Sequence, residues 1–115
     1  MTYVLRVREG DITPLQVAWL DEVGRSLSVQ NVTYTVFNYV GGVRTEITNA
    51  NLPMGATDQS YRYLIQYEIP VGYAGSTIFV EFKSELVADG TTLIKDQALQ
   101  VEKDISTQRI LTSFS

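Results

Sequence analysis

The chain contains neither cysteine nor histidine. Without cysteine there is no disulfide framework, no thiolate nucleophile and no thiolate metal site. Without histidine, the commonest general base and the commonest transition-metal ligand are missing. Cations are sparse too: nine Lys and Arg against thirteen Asp and Glu leave a formal net charge of −4. They are scattered singly, with Arg6 and Arg8 the closest approach to a cluster. Nucleic-acid binding and attachment to an anionic membrane both draw on clustered cations, so neither is expected. No apolar run approaches the roughly 18 residues of a membrane span. The segment Met1-Thr2-Tyr3-Val4-Leu5-Arg6 has no basic region followed by an apolar run, so no signal peptide is expected.

What is present is the composition of one folded domain. The 115 residues are 44% hydrophobic and 19% charged, enough to bury a core without disulfides or metal. The organising stretch is Ser60–Glu81. From Tyr61 the odd positions read Tyr61, Tyr63, Ile65, Tyr67 and Ile69, while the even ones read Arg62, Leu64, Gln66 and Glu68. This period of two marks a strand with one buried face. After Pro70, Gly72 and Gly75 a second run sets Ile78, Val80 and Phe82 against Phe79, Glu81 and Lys83. The spacing predicts that these two strands face each other as an antiparallel unit.

The rest of the chain reads as further strands. Tyr3, Leu5 and Val7 share a face of the first. Pro14 is expected to open the second, Leu15–Leu20, with Leu15, Val17 and Trp19 on one side. Asp21-Glu22-Val23-Gly24 is a turn, and Ser26–Gln30 a short strand or extended connector. Val32–Tyr39 is rich in β-branched and aromatic residues on both faces, as in a central strand. Gly41-Gly42 signals a hairpin into Val43–Thr48. Asn49–Gln59 is a loop expected to cross between sheets. Asp89-Gly90 turns into Thr92–Lys103, with a bulge expected near Asp96. No helix is required. The pattern predicts an all-β fold, a single antiparallel β-sandwich of immunoglobulin-like type over residues 1–103, with an extended C-terminal tail over 104–115. A small barrel is the alternative.

Chemistry-bearing patterns are weak. The carboxylates are dispersed: Asp21-Glu22 is an adjacent pair, while Asp11, Asp58, Asp89, Asp96 and Asp104 stand apart. Calcium loops place acidic ligands at alternating positions within one short loop. Gly41-Gly42 has no lysine and no helix behind it, so it is no phosphate cradle. Asn31-Val32-Thr33 matches a glycosylation sequon. Ser60 and Ser84 have no basic partner in sequence. No catalytic, cofactor-binding or metal residue is expected. Trp19 is expected in the core; a sugar-stacking platform is its alternative. Tyr39 and Tyr73, beside glycine turns, are candidate exposed contacts. Ile105, Ile110, Leu111 and Phe114 give the tail an apolar side that is expected to pack on a partner or on its own domain. Open sheet edges offer a second means of assembly.

Four segments carry a resemblance: Asp11-Ile12-Thr13-Pro14-Leu15, Leu20–Leu27, Ile69–Val80 and Ala98-Leu99-Gln100-Val101-Glu102. Together they resemble the small immunoglobulin-like proteins of tailed-phage virions over residues 1–103. The chain departs from antibody-type domains in lacking the Cys pair, in carrying Trp19 on the second strand, and in having no Tyr at the tyrosine-corner position before the Ile78 strand. The resemblance implies a non-enzymatic structural protein of a phage virion, a capsid decoration or cement protein docking on the major shell. A tail, neck or baseplate adaptor on the same fold is one alternative, and a carbohydrate- or host-surface-binding module using exposed aromatics is another. The implied partners are major capsid or tail proteins, or further copies of this chain. The implied location is the virion, assembled in the host cytoplasm.

Overall fold

Nine strands and no helix form among residues 4–48 and 51–103, those that the computed structural model describes. In chain order they are β1 (Val4–Arg8), β2 (Ile12–Ala18), β3 (Val29–Val40), β4 (Val43–Glu46), β5 (Leu52–Pro53), β6 (Gly55–Ala56), β7 (Arg62–Glu68), β8 (Thr77–Leu86) and β9 (Thr92–Glu102). Six of them form one sheet in the order β1-β9-β8-β3-β4, with β5 also paired to β3; the other three form a sheet in the order β2-β7-β6. Every pairing is antiparallel except that of β1 with β9.

The two sheets bury one cluster between them. Leu15, Val17 and Trp19 come from the β2 side, and Val32, Tyr34, Val36, Ile78, Val80, Phe82, Leu99 and Val101 from the other. Tyr63, Ile65 and Tyr67 pack against it, half-buried, so the odd-numbered face of the organising strand does point inward. Each fully buried Leu, Ile, Val or Phe side chain stabilises the fold by roughly 1.5–3 kcal/mol. Trp19, at 1% exposure, is a core residue.

Several expectations about connectivity change. The strand at Tyr61–Ile69 and the strand at Ile78–Lys83 do not form a hairpin: β7 and β8 lie in different sheets, and the segment between them crosses from one layer to the other. Pro14 stands inside β2 instead of opening it. Trp19 N donates to Tyr61 O at 2.9 Å, and in this register the odd residues of β2 bond to β7. The even residues, Pro14 among them, turn their backbone to the open edge, where a missing N–H costs no ladder bond. The described part of the Asn49–Gln59 segment, from Asn51 on, does cross between sheets, but it contains β5 on one and β6 on the other, with Met54 buried between them. β9 runs without a bulge past Asp96, its register with β8 unbroken from Gln100 to Thr92. The irregularity lies in β3, between Gln30 and Thr33. Asn31 adopts φ 53° there, a left-handed conformation that Asn tolerates, and the extra residue keeps Val29 and Val32 both inward. This bulge joins Ser26–Gln30 to the following strand.

Candidate docking surface

The outer face of a two-layer antiparallel sheet is ordinarily polar. Here it carries a group of aromatic rings. β3 and β8 pair so that Phe37 lies opposite Phe79, and both project away from the core cluster. Their rings stack with centroids 5.6 Å apart and an interplanar angle of 23°. Tyr39, two residues on, meets Phe37 edge-on at 5.8 Å and Phe79 at 5.6 Å. The hairpin through Gly41-Gly42 then returns β4 alongside, placing Arg44 opposite Tyr39. The Arg44 guanidinium lies 3.9 Å above the Phe37 ring. Phe37 is thereby only 5% exposed, while Tyr39 is 56% exposed and forms the accessible part of the patch.

Arg44 is held in place by Glu81. Its Nη1 and Nη2 donate to the two carboxylate oxygens at 3.2 and 3.4 Å, and Lys83 Nζ stands 3.6 Å from the same carboxylate. The hydrogen bonds from Arg44 hold the Glu81 carboxyl below its ordinary value, with Lys83 adding to the effect and burial opposing it. The fork-on-carboxylate arrangement orients the guanidinium over the ring, so cation and aromatic form one continuous surface.

Other groups have local duties. The Asp21 carboxylate accepts from Val23 N at 3.0 Å and Arg25 N at 2.8 Å, closing the first turn. Asp89 accepts from Thr91 N at 2.9 Å, and bonding by Thr91 lowers its pKa. Asn31 donates to Glu85 Oε1 at 2.6 Å. Among the described residues no three His, Cys, Asp or Glu gather as a metal site. A shallow surface depression lined by Val4, Arg6, Gly75, Gln100 and Glu102 among others brings the Arg6 guanidinium within 3.4 Å of the Glu102 carboxylate.

No family model, curated protein or solved structure matches this chain. Its surface therefore has to be judged on geometry. Of the residues singled out in sequence, Tyr39 belongs to the aromatic patch. Tyr73 is half-buried in the β7–β8 connection and packs against the core, so its ring is not the exposed contact expected beside a glycine turn. Ile105, Ile110, Leu111 and Phe114 lie outside the described residues. Trp19 is closed off from any sugar. Phe37, Phe79, Arg44 and Glu81 were not singled out. Their signal is a ring on the side of β8 that otherwise reads Glu81 and Lys83, opposite a β3 with β-branched and aromatic residues on both faces.

Proposed function

We propose that this chain is a non-enzymatic structural protein of a phage virion, a decoration or cement domain that docks on the major shell. The observation that carries the docking part is the Tyr39–Phe79–Arg44 patch on the solvent side of the larger sheet. Aromatic residues and Arg are the types that anchor protein interfaces. The virion part rests on the resemblance of the four segments. The strand order agrees with it: β2-β7-β6 against β9-β8-β3-β4 is the order of strands B, E and D against G, F, C and C′ in immunoglobulin-type sandwiches, with β1 set beside the last strand.

The test follows the protein through a density gradient of lysate from producing cells. The full-length chain is expected in the particle band, and a Tyr39→Glu variant with unchanged circular dichroism is expected at the top. A wild-type protein absent from the particle band overturns the virion reading. A variant that stays with the particles shows that another surface makes the contact.

A further inference from the structure

Open sheet edges present unpaired N–H and C=O groups to any passing strand, and soluble proteins guard them with proline, like charge or brevity. Three edges of this sandwich are guarded. β2 turns Pro14 to the open side, β6 is two residues long, and β1 carries Arg6 and Arg8 with no carboxylate between them. β4 is different. Among the described residues, Val43-Arg44-Thr45-Glu46 lies at an open edge of the larger sheet with all four residues exposed. Ile47 N donates to Val36 O at 2.8 Å, so in the β3–β4 register residues 43, 45 and 47 bond inward to β3. Arg44 and Glu46 therefore turn their backbone groups outward.

We propose that a second copy of this chain pairs antiparallel with β4 along this edge, about a twofold axis at Thr45, setting Arg44 of each copy against Glu46 of the other. The register follows from the charges. Outward-facing residues must meet outward-facing residues, so the neighbouring symmetric registers oppose Arg44 to Arg44 or Glu46 to Glu46, and like charges directly opposite destabilise a strand pair. The register centred on Thr45 makes two opposite-charge pairs, one Thr–Thr pair and two Val43–Ile47 pairs. It also covers Val43, which is 65% exposed in the single chain. A twofold contact consumes both free edges, so assembly stops at two copies. The pairing stands independently of the virion reading. Where both hold, the two aromatic patches lie on one side of a continuous sheet.

Analytical ultracentrifugation of the full chain across the micromolar to millimolar range tests this without any particle. The wild type is expected to dimerise, with slowed amide exchange at Arg44 and Glu46. Glu46→Lys sets cation against cation and should weaken the dimer about tenfold or more, and Arg44→Glu sets carboxylate against carboxylate with the same result. An equimolar mixture of the two variants restores both opposite-charge pairs and is expected to dimerise again. A wild type that stays monomeric overturns the proposal, as does a Glu46→Lys dimer as tight as wild type, or a mixture of folded variants that stays monomeric. If Arg44→Glu fails to fold, the exposed Glu46→Lys decides alone.

Discussion

Tyr67 joins the two layers at the level of a single side chain. It stands on the inward face of β7 and meets Tyr34 of β3 edge-on at 6.3 Å. Burial is the main reason its phenol is pushed from 10.0 up to about 12, with the neighbouring Tyr34 and Tyr73 adding to it. Burial also raises Tyr34. The sign follows from proton counting. Between the unfolded value near 10 and the folded value near 12, the folded chain holds a proton that the unfolded chain has lost. Stability from this group is thus fully present below pH 10 and declines as the pH rises to about 12. Urea midpoints measured across that window should fall for the wild type and fall less steeply for Tyr67→Phe. Equal slopes would assign the alkaline loss to other groups.

At the scale of elements, the β3–β4 hairpin shows how far local chemistry dictates structure. Gly41 and Gly42 have φ 58° and 81°, the left-handed pair of a type I′ turn, whose twist matches that of the flanking strands. A Cβ added at either glycine would meet nothing within 4 Å, so the obstacle to substitution is backbone conformation alone. Gly41→Val should therefore cost about 1–2 kcal/mol in chemical denaturation, and Gly41→Asn distinctly less, since Asn visits this region readily. A Val variant as stable as wild type would mean that the turn changes type. This hairpin was legible in the sequence because two residues determine it. So were the inward faces of β2, β7 and β8, because alternation states which side is buried. Alternation does not state which strand lies alongside. Pro70 to Ser76 is long enough either to turn back in one sheet or to cross to the other, and here it crosses. The bulge at Asn31 escaped for a related reason: one residue in the left-handed region shifts a register while leaving composition untouched. The docking surface was partly legible, through Tyr39. Its other members come together only when β3, β4 and β8 are side by side, which puts Arg44 and Glu81, 37 residues apart, within hydrogen-bonding distance.

For the whole molecule, the question is where the folding unit ends. The core cluster draws its last member, Val101, from β9, and Val101 N donates to Ser76 O while its own carbonyl accepts from Gly75 N. Among the described residues, every buried member of the cluster thus lies within 7–101, and both sheets are complete by Glu102. A chain ending at Lys103 should keep the unfolding temperature of the full-length protein. It should also lose attachment to the particle if Ile105, Ile110, Leu111 and Phe114 supply contacts alongside the aromatic patch. Thermal melts by circular dichroism and gradient co-sedimentation separate these effects. For a domain of this size about 1 kcal/mol corresponds to roughly 4–8 °C. A truncated chain that melts lower by that much or more has lost part of its own core, and 104–115 then belongs to the domain. One that melts unchanged and still bands with particles leaves the sheet face as the grip.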